Sequence, residues 1–351
     1  MDDADLSRRS WLAGAGALAS TLVAPSVFAD TDSLIATPPA GFKPMQKAGR
    51  VVKVTKGNDF ESLMQKNLLW PKADVAKAML ERALTELTGA ANLVEALGKL
   101  IHKDDVVAIK PNGIAGQSGA TMAANLEVVL PLVEGLIALG VPADKITVYE
   151  QYPSYLSGTR VKKGKVPAGV KLGIHGNTDA TMSEIAVFDQ VKTRYVRQFT
   201  EATAVINVTN FKDHSICGYT GCLKNITHGS IVNPHKHHAH HASPQIAVLY
   251  AHEIVKSRVR LHIVDAFKII YDKGPLDKDP KRRIPHGAIY AGTDPVAVDS
   301  VGWQVIEKAR KENGMKTLAA AGREPKYIAK AASLGLGVHA ESKISLKEVA
   351  L

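Results

Sequence analysis

Asp105-Val-Val-Ala-Ile-Lys110, then Asn125-Leu-Glu-Val-Val-Leu-Pro-Leu-Val-Glu-Gly-Leu-Ile-Ala-Leu139, then Lys145-Ile-Thr-Val-Tyr-Glu150: these three runs decide the fold. The first and last are short and apolar, the length of buried strands. The middle one places its apolar residues at helical spacing. Strand, helix and strand within some 45 residues read as a right-handed βαβ unit.

The same alternation continues on both sides. Upstream, Val51–Thr55 reads as a strand, and Lys72–Leu87 and Ala91–Leu100 as helices. Downstream, Ala204–Val208, Arg260–Asp265 and Gly287–Ala291 read as strands. Gly218–His228, Pro244–Val255 and Asp294–Lys311 read as helices, the last with Asp294 as N-cap and Pro295 at its first position. Residues 153–195 look irregular, an inserted loop or small subdomain. The expectation is an α/β fold: a mostly parallel sheet with helices on both faces, in one domain over 49–345.

The N-terminus reads differently. Ser7-Arg8-Arg9-Ser10-Trp11-Leu12 precedes a weakly apolar run that ends Val27-Phe28-Ala29. A charged start, an apolar run and a small-x-small site make a signal peptide over 1–29. The arginine pair matches a twin-arginine address, which the twin-arginine translocase reads during export. The expected location is the periplasm or another extracytoplasmic compartment. Gly14, Gly16, Ser20 and Pro25 make the run a poor stable membrane anchor. Residues 30–48 read as an extended lead-in.

The 351-residue chain carries a formal charge of +10. The signal holds Asp2, Asp3 and Asp5 against Arg8 and Arg9, so the remainder is more basic still. That balance favours a small anionic ligand. The aromatic fraction of 5% and the lack of interleaved stacking residues argue against nucleic acid.

Polar residues close the apolar runs: Lys110 and Asn112, Glu150, then Asn207, Asn210, Lys212 and His214, then Asp265, then Thr293-Asp294. Ligands of open parallel sheets sit outside the carboxyl ends of the strands. Lys110, Lys212, His214, Lys224 and Asp265 are the candidate catalytic residues, with Asn112, Asn225, Asp294 and Asp299 as candidate cofactor contacts. All six of Lys110, Lys212, His214, Lys224, Asp265 and Asp299 are expected to converge on one cleft.

Seven of the thirteen histidines lie between 214 and 241. His228, His235, His237, His238, His240 and His241, with Cys217 and Cys222, are candidate metal ligands. A transition metal (Zn, Fe or Ni) or an iron–sulfur centre would suit them. Two cysteines cannot complete a four-thiolate cluster alone, so such a centre would mix Cys with His or be shared across a dimer, a homo-oligomer of this chain. In a helix, Cys217 and Cys222 would be about 140° apart around the axis and about 7.5 Å apart along it, too far to form a disulfide. A helix start near Cys217 would also offer its N–H groups to an anion and lower the thiol pKa.

Ile109-Lys-Pro-Asn112, Asn210-Phe-Lys-Asp-His214, Gly218-Tyr-Thr-Gly-Cys-Leu-Lys-Asn225 and Thr293-Asp-Pro-Val-Ala-Val-Asp299, in this order and spacing, resemble the DUF362 family over roughly residues 50–340. The resemblance implies an α/β fold and a metal- or iron–sulfur-linked role. Many members carry a ferredoxin-like four-cysteine module, which this sequence lacks. Two readings of function stay open. One is an exported metal- or cofactor-dependent enzyme acting on a small anion, its reaction type unresolved. The other is a periplasmic metal-binding or redox accessory protein without turnover.

Overall fold

The computed structural model describes residues 30–57, 59–117 and 120–351. The twin-arginine motif and its apolar run lie outside them. Twelve strands are present among the described residues: β1 (Arg50–Thr55), β2 (Val107–Pro111), β3 (Ile146–Glu150), β4 (Lys171–Ile174), β5 (Ile185–Phe188), β6 (Val191–Thr193), β7 (Ala204–Thr209), β8 (Lys212–His214), β9 (Gly218–Thr220), β10 (Val259–Ile270), β11 (Arg283–Gly292) and β12 (Ser345–Ala350). The main sheet runs β12-β1-β11-β10-β7-β2-β3-β4, while β5 and β6 form a separate hairpin. Along the main path β11 alone is antiparallel to its neighbours.

Helices cover both faces. On one face the Ala73–Thr88, Leu93–Gly98 and Leu126–Leu139 helices bury a core with Val107, Ile109, Ile206 and Ile263. Ala73–Thr88 shows how sequence dictates this. Val75, Met79, Leu80, Ala83, Leu84 and Leu87 fall at helical spacing and are buried, and Gly89 ends the helix at φ +74. The Cys222–Gly229, Ser243–Ala251, Pro295–Glu312 and Tyr327–Ser333 helices close the other face.

The strand-helix-strand unit read at 105–150 is present, β2 pairing in parallel with β3. Four expectations need correction. The 153–195 segment is partly regular: β4 extends the main sheet beyond β3. The expected Gly218–His228 helix starts at Cys222, because Gly218–Thr220 is paired as β9 against β8. Gly218 sits at φ +77, and a Cβ there would lie 1.7 Å from Arg323 O. The Pro244–Val255 helix is broken at His252, whose ring Nδ1 accepts from Ile254 N and caps a second short helix. The C-terminal strand β12, parallel to β1, was not anticipated.

The lead-in is tied to the domain. Ala36 N donates to Ser257 Oγ, Met45 N to Lys99 O and Lys47 N to Thr293 Oγ1. Among the described residues no helix is long and apolar enough to cross a membrane.

Candidate functional site

The carboxyl ends of β2, β3 and β7 carry a closed polar network. Lys110 Nζ donates to Glu150 Oε1 at 2.8 Å and to Pro111 O at 2.7 Å. Glu150 also accepts from the backbone of Gly113 and Gln151. Asn225, from the Cys222–Gly229 helix, donates to Asn207 Oδ1 at 2.7 Å and accepts from Asn112 Nδ2 at 3.0 Å. Asn112 Oδ1 in turn accepts from Lys212 Nζ at 2.7 Å. The second bond of Lys212 goes to Ile114 O. Lys110, Asn112, Lys212 and Asn225 are thus brought together, but they serve one another. Burial lowers both lysines, Lys212 to about 7. The network locks the β2 exit loop to the helix. Gly229 is part of the fit, since a Cβ there would lie 2.7 Å from Lys110 Cε.

Asp265 lies on the other face of the sheet. Its Oδ2 accepts from Asn125 N at 2.6 Å and Asn125 Nδ2 at 2.8 Å, which seats the start of the Leu126–Leu139 helix. Asp294 lies at the opposite edge, because β11 runs antiparallel and delivers its end there. It caps its own helix through Ala297 N and accepts from Gly49 N and Val338 N. Asp299 is also structural. Its carboxylate accepts from Cys222 N at 2.6 Å and Leu223 N at 3.0 Å. The anion expected at a helix start near Cys217 is therefore a side chain of this chain, and it sits at Cys222–Leu223. Burial pushes Asp299 up to about 7. The six expected residues do not share one cleft.

His214, His228 and His238 cluster around Lys224. The side chain is 7% exposed, and among the described residues its ammonium makes no hydrogen bond and pairs with no carboxylate. Its charge reaches His214, His228 and His238, lowering all three, although burial is the larger cause in each. His238 falls to about 4. The rings of His214 and His238 stack at 5.7 Å, and His228 meets His238 edge-on at 4.9 Å. Arg323 flanks the site, with its guanidinium held by Asp213 and His214 O.

The remaining metal candidates disperse. His235, His240 and His241 are exposed, and His240 faces Asp189 at 3.6 Å. His237 is buried on Asn233. Cys217 and Cys222 are both buried and free. Burial pushes the Cys217 thiol up to about 12 and Cys222 well above its usual value, opposite to the lowering expected at a helix start. Among the described residues no group of three or more His, Cys, Asp or Glu is placed to hold a metal ion. His228 has both ring nitrogens committed, to His237 O and Thr227 Oγ1. The donor set does not fit a resident metal or cluster.

Several residues of this edge had no place in the sequence-based candidate set. Glu150 was visible as a strand end, and its pairing with Lys110 follows from β2 and β3 being neighbours. His175, whose Nε2 donates to Gly229 O, and Arg323 come from segments without any signal. A groove of about 690 Å³ lies elsewhere, between the Pro295–Glu312 helix and β1, β11 and β12. Its lysines are paired, Lys53 with Glu348 and Lys308 with Glu312.

Buried neutral histidines make the fold acid-sensitive, and His262 gives the sign. It sits between Asn207 Nδ2 and Tyr250 OH, and burial lowers it to about 3. The unfolded chain therefore binds one more proton than the native one between about pH 6.5 and pH 3. His262 thus contributes stability above about pH 6.5 and loses it as pH falls, by about 1.4 kcal/mol per unit. Urea midpoints across this window should show that slope, and His262→Gln should reduce it by one proton. An unchanged slope in the variant would reject the assignment.

Fold and site together define an α/β protein with a mostly parallel sheet and a lysine–histidine cluster on the Cys222–Gly229 helix and its neighbours. Residues 107–304 match the family model described as "Domain of unknown function (DUF362)", and the chain belongs to that family. No curated protein matches. Among solved structures, the lactate racemase apoprotein from Thermoanaerobacterium thermosaccharolyticum is similar at 9% identity and a TM-score of 0.37, covering 69% of this chain and 54% of that one.

Proposed function

We propose that the protein is an exported enzyme that binds a small anion at Lys224, with His214 and His238 available for acid–base chemistry. One observation carries this reading: a lysine residue only 7% exposed whose ammonium meets no carboxylate among the described residues. Burying an unpaired cation is unfavourable by several kcal/mol unless a ligand offsets it. Neutral imidazoles leave the Lys224 charge open to an anion while remaining able to take or give a proton. The basic charge of the chain would draw anions toward it.

Isothermal titration with inorganic phosphate and with small carboxylates tests the reading. Saturable binding is expected in the wild type, weakened about ten- to a hundredfold in Lys224→Met. Absence of binding by every anion would refute it.

Export is the second part of the proposal, resting on Arg8, Arg9 and the small-x-small site at Val27-Phe28-Ala29. Replacing both arginines by lysine should leave uncleaved precursor in the cytoplasm, detected by fractionation and mass. Normal export of that variant would remove the twin-arginine assignment.

A further inference from the structure

The groove of about 690 Å³ between the Pro295–Glu312 helix and β1, β11 and β12 has the size of a small-molecule site. Its helix wall is the stripe of Val301, Val305 and Ala309, spaced i, i+4 and i+8. Ile269, Ile284 and Leu346 line the sheet wall. Such walls suit an apolar body.

Polar groups gather in one row across the sheet. Lys53 on β1 is the register partner of both Glu348 on β12 and Tyr290 on β11, and all three line the groove. Tyr290 OH lies 2.8 Å from Nε2 of His286, another lining residue, and the two rings stack at 5.9 Å. Tyr290 is buried, and burial with the nearby Glu348 carboxylate keeps its hydroxyl protonated. Among the described residues His286 is the only hydrogen-bond partner of that hydroxyl, so the hydroxyl donates and Nε2 accepts. Burial, then Lys53 and Lys308, lower His286 to about 4. The ring is neutral near pH 7 with its proton on Nδ1, a donor without an acceptor among the described residues. The charges that bear on it are both lysines. Lys53 is held by Glu348 at 2.8 Å, but that carboxylate is 62% exposed. So open a pair contributes little, and exchanging Glu348 for another carboxylate costs little.

We infer that the groove is a second ligand site, separate from Lys224, for amphipathic carboxylates. The carboxylate takes the place of Glu348 at Lys53 and accepts from His286 Nδ1, while the apolar body lies along the Val301–Ala309 stripe. Titration calorimetry of the full chain with hexanoate, octanoate and decanoate, below their micelle concentrations, tests this. Saturable binding should strengthen about fourfold per added methylene. Octanol and octylammonium should bind about tenfold or more weakly than octanoate, because neither pairs with Lys53. Val305→Glu, which puts a charge into the apolar wall, should abolish octanoate binding. Lys224→Met should leave it unchanged, so this site and the anion reading at Lys224 succeed or fail separately. No saturable binding of any chain length would overturn the inference. So would octylammonium binding as well as octanoate, which would put the head at Glu341 on the same groove. A folded Val305→Glu chain that still binds octanoate would overturn it too. Should that variant not fold, the ¹⁵N resonance of His286 Nδ1 in the wild type decides: it should shift with octanoate and not with octanol, and an unmoved resonance rejects the site.

Discussion

Replacing Lys224 by methionine is expected to make the protein more stable while weakening anion binding about ten- to a hundredfold. Methionine has a similar length and no charge, so the packing changes little. What disappears is an ammonium without hydrogen bond or carboxylate among the described residues. Replacing poorly compensated buried charge by apolar volume gains about 1–2 kcal/mol, a rise of about 2–6 °C in Tm for a chain of this size. Charge-assisted hydrogen bonds contribute about 1.5–3 kcal/mol, so anion affinity should fall about ten- to a hundredfold. The histidines report the same change. Lys224 is the leading charge that lowers His214, His228 and His238, so their titrations, followed by NMR, should move upward in the variant. A structural lysine would give the opposite pattern: a lower Tm with anion binding retained. Stability given up at a site for the sake of binding is the familiar exchange of functional sites.

The βαβ unit at 105–150 was legible because strand and helix periodicities differ and its runs are long and apolar. The edge strands were not. Lys171–Ile174 and Ser345–Ala350 each keep much of their surface exposed, so neither leaves a clear apolar signal. The antiparallel course of β11 was also invisible, and with it the fate of Asp294. A strand end is polar whichever way it runs, and only pairing says which edge it reaches.

The site was half legible for a related reason. The motif residues were found, but a motif does not distinguish side chains that face a ligand from those that hold the ones that do. Asp299 looked like a cofactor contact and caps the helix of Lys224. Lys110 and Lys212 looked catalytic and tie the β2 loop. Of the catalytic set, Lys224 and His214 lie together, joined by His238 from the histidine tract. That tract reads as a metal site by composition. Its backbone turns at His240 and His241, both at positive φ, and splits the rings between the Lys224 cluster and solvent.

Arg258→Met should be among the most destabilising substitutions in the chain. Arg258 is fully buried and meets no carboxylate among the described residues. Its guanidinium donates to five carbonyls: Ile254 O at 2.6 Å, Phe199 O and Thr200 O at 2.7 Å, Ala202 O at 2.8 Å, and Leu34 O. Burial lowers it to about 10, which still leaves it charged near pH 7. One planar side chain thus satisfies the end of the Arg197–Thr200 helix, the turn into β7 and the lead-in. Methionine fills the space and leaves those oxygens without donors, at a cost of about 3–5 kcal/mol. Urea midpoints at constant m-value measure it. Lysine should recover part of the loss, because it keeps the charge but not the fork. Removing residues 30–36 takes away one of the five acceptors and should cost about 1–2 kcal/mol on its own. Combined with Arg258→Met, the truncation should add less than that, because the Leu34 contact can be lost only once. A loss under about 1 kcal/mol in Arg258→Met, or strict additivity with the truncation, would mean that the guanidinium does not join the lead-in to the domain.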